Sequence, residues 1–260
     1  MNNQIFCEDC AVTMRRMPPQ SVDLVLTSPP YNTARSCQDR YHSGRYDVYS
    51  EGLSEDEYGR WICGLFSDGI DKILKRNGCV LWNFSWSSES PMSFFRVVSR
   101  IDEETPFTVA DVIVWKKNSA LPNNMSPNKL TRITEPVLVL CRKSEFGTFH
   151  ANKRVISRRK GGQCNYENLF AFIEARNNDG PCDLNRATFS SDLVVRLLEM
   201  YAPEGAVVYD PFMGTGTTAV GCRRFGATYV GSEISEAQCK YAEERLGRLS
   251  QDMFGEWRAR

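Results

Sequence analysis

Apolar positions along this chain recur with two periods. Tyr58, Trp61, Ile62, Leu65, Phe66, Ile70, Ile73 and Leu74 keep helical spacing behind Ser54 and Glu57, a Ser-x-x-Glu start signal, and the run closes on Lys75, Arg76 and Gly78. Leu193, Val194, Leu197, Leu198 and Tyr201 predict a second helix, with Ser190 or Ser191 as its cap and Pro203 beyond its end. A third follows Ser235 and Gln238, with Ala237, Tyr241, Ala242, Leu246 and Leu249 as its apolar face. Between the helices lie short runs of β-branched and aromatic residues: Val22 to Thr27, Cys79 to Phe84, Phe107 to Trp115, Val137 to Cys141, Ala206 to Tyr209 and Ala227 to Gly231. Strands alternating with amphipathic helices predict an α/β fold, a mostly parallel sheet with helices on both faces. Ligands of such sheets bind at the carboxyl ends of the strands, near a switch point.

Two stretches depart from this pattern. Thr33 to Ser50 and Lys143 to Asn185 are polar and weakly periodic, which predicts loops or a small insertion. Arg142 to Lys160 carries seven basic residues against Glu145 alone, in a chain whose 32 basic and 32 acidic residues otherwise cancel. At 260 residues, 42% hydrophobic and 25% charged, the chain has the composition of an ordinary soluble globule. The ten cysteines are scattered, and no secretory signal opens the sequence. A reduced cytoplasm is the expected setting. Cys7 and Cys10 form a lone Cys-x-x-Cys beside only two histidines, His42 and His150, so no metal site is expected. No apolar stretch reaches the ~20 residues of a membrane span.

Two segments carry chemistry. Val207 to Gly226, "VVYDPFMGTGTTAVGCRRFG", reads as strand, glycine turn and helix. Gly214 and Gly216 let backbone approach a ligand, and the helix after them presents free N–H groups. No Lys follows the second glycine, so this is not a phosphate-binding loop, and Ala219 stands where a dinucleotide fingerprint has its third glycine. One strand later Glu233 stands where an acid accepts both hydroxyls of a ribose. A glycine turn plus a ribose acid describes an adenosine-containing ligand, which S-adenosylmethionine fits. The other segment, "LTSPPYN", leaves the strand Val22 to Thr27 through Ser28, Pro29, Pro30 and Tyr31.

With both segments in this order, the sequence resembles the β group of DNA amino-methyltransferases, in which a Ser/Asp/Asn-Pro-Pro-Tyr/Phe motif precedes the cofactor motif. "FCEDC", "WKKNSALPNN", "TRITEPVLVLCRK" and "ATFSSDLVVRLL" resemble further parts of that family, so the likeness spans most of the chain. It implies a Rossmann-like sheet with one antiparallel strand and circularly permuted motif order. It also implies S-adenosylmethionine as cofactor, with Asp210, Phe212, Gly214, Gly216 and Thr217 around it, Glu233 on the ribose, Asp9 on the adenine amino group and Phe189 packed nearby. The family often has His-Pro ahead of Ala187 to Phe189 and Pro after it, where this chain has Asn185, Arg186 and Ser190.

The resemblance divides the chain into a catalytic half, 1–142, a target-recognition insertion, 143–185, and a cofactor half, 186–260. Thr33 to Ser50 would be a mobile loop over the site. The partner it implies is double-stranded DNA, with nucleoid association through that DNA; the basic run, which reads either as a solvated face or as a DNA contact, offers Arg154, Arg158, Arg159 and Lys160 for its phosphates. A homodimer and a companion restriction enzyme are compatible with the resemblance. Ser28 at the head of the motif is usual for enzymes acting on cytosine N4, whereas adenine-N6 enzymes mostly carry Asp or Asn there. The alternatives are an adenine-N6 enzyme and a cofactor- and DNA-binding protein without catalysis. Tyr31 is expected to stack on the base through its ring and not its hydroxyl. Cytosine-C5 chemistry needs a nucleophilic Cys; Pro181 and Cys182 form the one Pro-Cys pair, which reads as a loop. Trp82, Phe84 and Trp86 alternate and read as core.

Overall fold

The computed structural model describes residues 2–32, 52–85, 91–120, 122, 127–185, 188–251 and 257–259. The segment Thr33 to Ser50, and with it Trp86, Arg186 and Ala187, lies outside the described residues. Eight strands form one sheet: β1 (Gln4–Cys7), β2 (Val22–Thr27), β3 (Leu74–Asn83), β4 (Phe107–Lys117), β5 (Thr134–Arg142), β8 (Phe172–Ala175), β9 (Val207–Asp210) and β10 (Thr228–Glu233). Their order is β1-β10-β9-β2-β3-β5-β4-β8, and β5 alone runs antiparallel to its neighbours. The Rossmann-like sheet with one antiparallel strand is therefore as expected. Two small antiparallel pairs stand apart: β6 (Val155–Arg158) with β7 (Cys164–Tyr166), and β11 (Leu249–Gln251) with β12 (Trp257–Ala259).

Both faces of the sheet are buried, which is why its strands read as near-continuous apolar runs. Leu81, Val139 and Val208 point to one face, against Leu193, Val194 and Leu197 of α5 (Ser191–Tyr201) and Val220 of α6 (Thr217–Phe225). Val80, Trp82, Leu138 and Leu140 point to the other, against Met14 of α1 (Cys10–Arg16), Ile62 of α2 (Glu55–Gly64) and Ile101 of α4 (Pro91–Glu104). Each such side chain contributes about 1.5–3 kcal/mol on burial. No helix among the described residues is long and apolar enough to cross a membrane.

Several elements differ from expectation. The first predicted helix does not run to Leu74: α2 passes through a π turn, Leu65–Ile70, and a last turn α3 (Asp71–Ile73), and Leu74 already begins β3. Arg142 ends it, donating from Nη2 to the carbonyls of Asp71 and Leu74, each at 2.7 Å, and from Nη1 to that of Lys75 at 3.0 Å. Gly78 is not a helix stop but a close-approach residue, since a Cβ there would stand 2.7 Å from the Asp23 carbonyl. The third helix, α7 (Glu236–Gly247), is capped by Ser235 as expected, but buries Gln238, Cys239, Ala242 and Leu246 and leaves Ala237 exposed. The second starts at Ser190, whose hydroxyl accepts from Leu193 N at 3.3 Å.

Candidate functional site

The chain leaves β2 toward β3 on one side and leaves β9 toward β10 on the other, while β2 and β9 lie side by side. That reversal makes the crevice at their carboxyl ends the switch point, where bound groups are met by loops from both halves. The Ser28–Tyr31 turn follows β2, and the glycine turn follows β9.

The first turn is held from several directions. The Tyr58 hydroxyl of α2 donates to the Pro30 carbonyl at 2.7 Å. Tyr31 packs edge-on against Phe84, with ring centroids 5.2 Å apart. Its hydroxyl donates toward the carbonyl and side-chain oxygens of Asn83, at 3.2 and 3.1 Å, and accepts from Ser28 Oγ at 3.3 Å. The hydroxyl thus sits at a junction, whereas only the ring was expected to matter. Asn32, in the left-handed region at φ 50°, closes the turn onto the approach to α2: it donates to the Leu53 carbonyl at 2.7 Å and accepts from Gly52 N and Leu53 N.

In the second turn Gly214, at φ 54°, donates its N–H to Glu233 Oε2 at 2.8 Å, and Glu233 Oε1 accepts from Ser235 N at 2.9 Å. Gly216, at φ 83°, caps α6, and a Cβ there would stand 2.8 Å from the Cβ of Ala242. Its missing side chain makes room for α7 and not for a ligand. Asp210 lies beneath the turn, 1% exposed. It accepts from Thr27 Oγ1 at 2.6 Å, Thr218 Oγ1 at 2.5 Å and Phe212 N at 2.9 Å. Burial pushes its carboxyl up to about 6, against the opposing pull of those three donors, and the Glu233 charge adds to the rise.

The two turns enclose a cavity of about 220 Å³. Of the residues the sequence singled out, Asp9, Ser28, Pro30, Phe189, Phe212, Gly214, Thr217 and Glu233 line it; Pro29, Tyr31, Asp210 and Gly216 do not. Tyr31 and Asn32 line a second hollow of about 240 Å³ with Tyr58 and Val97, so the proline turn stands between two cavities. The first also takes walls that the sequence reading assigned to core or left unassigned: Trp61, Met213, Asn185 and Gln238. Trp61 packs on Phe212 at 5.5 Å, and Asn185 Nδ2 donates to Gln238 Oε1 at 3.1 Å.

This donor and acceptor set fits an adenosine-containing cation. Both Glu233 oxygens are acceptors on the cavity wall, of the kind that hold a pair of ribose hydroxyls. Asp9 caps α1 through Oδ1, which accepts from Ala11 N at 2.7 Å, leaving Oδ2 for an amino group. Phe189 and Phe212 supply aromatic walls, and the first turn of α6 offers backbone N–H groups at the positive end of its dipole.

The basic run divides in the structure. Arg142 turns inward onto the carbonyls of Asp71, Leu74 and Lys75, whereas Lys143 stays exposed, with its Nζ on the carbonyls of Asp102 and Thr105. Arg154, Arg158, Arg159 and Lys160 lie on or beside the exposed β6–β7 pair, away from the cavity lining. Arg154 is tied to Glu167 at 2.9 Å, and Arg159 Nε donates to Asn165 Oδ1 at 2.9 Å. Cys7 is exposed and Cys10 buried, its thiol pushed up to about 12 by burial. Among the described residues no cluster of three His, Cys, Asp or Glu is arranged to hold a metal ion.

Known proteins place this geometry. The type II methyltransferase M.HinfI of Haemophilus influenzae is 23% identical over 258 residues, 95% of this chain and 69% of the relative. The DNA adenine methyltransferase YhdJ of Escherichia coli (strain K12) is 23% identical over 261 residues, 92% and 80% of the two chains. In fold, the PvuII DNA methyltransferase (cytosine-N4-specific) superposes with a TM-score of 0.70 at 18% identity, covering 94% of this chain and 86% of that one. The M1.HpyAVI–SAM complex gives 0.60 at 21%, covering 94% and 98%. A DNA methylase family model, for N6/N4 methyltransferases, matches residues 22–244, and the chain belongs to that family of S-adenosylmethionine-dependent DNA methyltransferases.

Proposed function

We propose that this methyltransferase acts on the exocyclic N4 amino group of cytosine in duplex DNA. One observation carries the reading: Ser28 of the proline turn and Phe212, Gly214 and Glu233 of the cofactor half line the same cavity. When bound, S-adenosylmethionine supplies an electrophilic methyl carbon on a sulfonium. Glu233 would hold its ribose, Asp9 its adenine amino group, Phe189 and Phe212 its ring, and the Gly214–Thr217 backbone its methionine end. Asp210 and Gly216 serve this pocket from beneath it.

An aromatic exocyclic amine is a poor nucleophile because its lone pair is delocalised into the ring. Acceptors on both amino protons draw the nitrogen toward tetrahedral geometry and localise that pair. Ser28 Oγ and the Pro29 carbonyl are the acceptors proposed, since the Pro30 carbonyl is already taken by Tyr58. The base must leave the duplex to reach them, at a cost of a few kcal/mol. Tyr31, on the second hollow, would stack on it, and the β6–β7 pair, within the 143–185 recognition segment, would bring Arg158, Arg159 and Lys160 to phosphates. The halves 1–142 and 186–260 would supply the acceptor grip and the cofactor pocket.

Ser28 supports cytosine: a hydroxyl accepts from an amine while donating elsewhere, as it does here to Tyr31. An adenine-N6 enzyme mostly uses Asp or Asn at that place. The adenine reading stays as the second one because YhdJ is an adenine methyltransferase. Ser28→Ala separates the chemistry from binding. Transfer of labelled methyl to DNA is expected to fall by about 10²-fold or more with S-adenosylmethionine affinity unchanged, because the missing bond matters in the transition state. Equal transfer by Ser28→Ala and wild type removes Ser28 from the mechanism.

A further inference from the structure

Asp210 does not line the cavity, yet each of its three donors is a cavity residue or the chain neighbour of one. Thr27 precedes Ser28, Phe212 uses its own N–H, and Thr218 follows Thr217. The ladder between β2 and β9 pairs Leu24 with Val208 and Val25 with Tyr209 and ends there. Beyond it, the Thr27–Asp210 bond spans the two turns, with the carboxylate gripping the first turn of α6 on its other oxygen. Thr27 is fully buried, so its hydroxyl has no access to water as an alternative partner.

A charged acceptor makes shorter and stronger bonds to hydroxyls than a neutral one, which suits a part whose task is alignment. We propose that Asp210 is a positioning residue: through Thr27 and Thr218 it sets the spacing between the proline turn that grips the amine and the glycine turn that holds the methyl donor. Reacting atoms must meet at near-contact distance, so a small change in that spacing is felt in rate and not in cofactor affinity. This inference rests on the methyl-transfer reading.

Four titratable groups act on the carboxylate or are acted on by it. Glu233 faces it from β10, Cys10 from α1 and Cys222 from α6, and Tyr209 adjoins it on β9. Burial keeps both thiols and the phenol neutral in the working range, so Glu233 is the charged neighbour. Protonating Asp210 withdraws one acceptor from the Thr27–Thr218 bridge and loosens the alignment. Transfer should therefore fade as pH drops through about 6, where the carboxyl titrates.

The test compares wild type, Thr27→Val and Thr27→Ser. In the cofactor-free protein, the Asp210 carboxyl is titrated by carbon-13 NMR; in the loaded protein, single-turnover methyl transfer is followed from pH 5 to 8 at saturating cofactor and DNA. Valine keeps the shape but removes the donor that favours the ionised carboxylate. Its Asp210 midpoint is expected to move up, its acid limb of transfer to move with it, and its plateau rate to drop by about 10- to 100-fold at unchanged cofactor affinity. Serine restores the donor and should recover rate and midpoint together. An unmoved midpoint in Thr27→Val, or a wild-type rate across the whole range, overturns the proposal. A wild type that titrates as expected yet transfers no methyl to any DNA overturns the functional reading, and the positioning role falls with it.

Discussion

Gly216→Ala separates two explanations of the glycine turn. In the structure the missing Cβ of Gly216 faces α7: a methyl there would lie 2.8 Å from Ala242 Cβ and 3.2 Å from its Cα, and Gly216 holds φ at 83°. The left-handed conformation costs an alanine about 1–2 kcal/mol. Forcing a methyl into a packed contact adds about 1–3 kcal/mol, because Ala242 is on a helix and cannot retreat alone. The sum is about 2–5 kcal/mol, which for a chain of this size lowers Tm by roughly 5–15 °C. The second half of the cycle is Ala242→Gly. Alone it costs about 1 kcal/mol of helix propensity, but in the double variant it vacates the contact and should recover about 1–3 kcal/mol. Gly214→Ala is the control. Its nearest neighbours, Asn185 Nδ2 at 3.3 Å and Gln238 Oε1 at 3.5 Å, are side-chain ends on the cavity, so it should lose more cofactor affinity than stability beyond the backbone term. Urea unfolding of the four variants measures the cycle. Strict additivity of Gly216→Ala and Ala242→Gly would show that the α7 contact is not what requires the glycine.

Asp210 is expected to make the protein less stable at neutral pH, because its carboxyl lies near 6 folded against 3.8 unfolded. The fold favours the protonated form, so its stabilisation is full below about 3.8 and is lost as pH rises through about 6, worth about 3 kcal/mol in all. Asp210→Asn should flatten that slope between pH 4 and 7 in urea unfolding while methyl transfer drops; an unchanged slope refutes the buried-charge account. Glu233→Gln should weaken S-adenosylmethionine in calorimetric titration, since it replaces one acceptor oxygen of the pair with a donor, and wild-type affinity would remove it from the ribose. Tyr31→Phe should keep the stacking ring but lose the hydroxyl's bonds to Ser28 and Asn83, and Tyr31→Ala should lose about 1–3 kcal/mol of base stacking besides; equal rates for the two would deny the ring its role. Neutralising Arg158, Arg159 and Lys160 should flatten the salt dependence of DNA binding by about 0.9 for each phosphate they would otherwise neutralise, and an unaltered slope returns them to ordinary surface.

Elements with apolar periods and start signals are legible from the chain, and so is the glycine turn, because only backbone without a Cβ fits there. What the sequence hides are interactions between distant residues. Nothing near Leu74 announces that Arg142, 68 residues on, will take its carbonyl and end the helix. α4 goes unannounced although Phe94, Val97 and Ile101 keep helical spacing, since its start lacks a Ser-x-x-Glu signal of the kind that marks α2. β8 reads as loop because four residues paired along β4 carry little periodicity of their own. Within the site, Glu233 and Ser28 are legible as chemistry, whereas Thr27, Tyr58 and Thr218 look like ordinary strand and helix residues until the fold brings them to Pro30 and Asp210. Asp210 itself reads as a ligand residue because a motif shows residue type and order but not depth.

Ser28 and the glycine turn are proposed to methylate cytosine N4 in duplex DNA together. Incubating mixed-sequence duplex DNA with the protein and S-adenosylmethionine, digesting it to nucleosides and identifying the product by mass spectrometry tests it most directly. N4-methyldeoxycytidine is expected in wild type, and its loss in Ser28→Ala. N6-methyldeoxyadenosine as the sole product would contradict the base assignment, and methylated RNA beside untouched DNA would contradict the substrate as well.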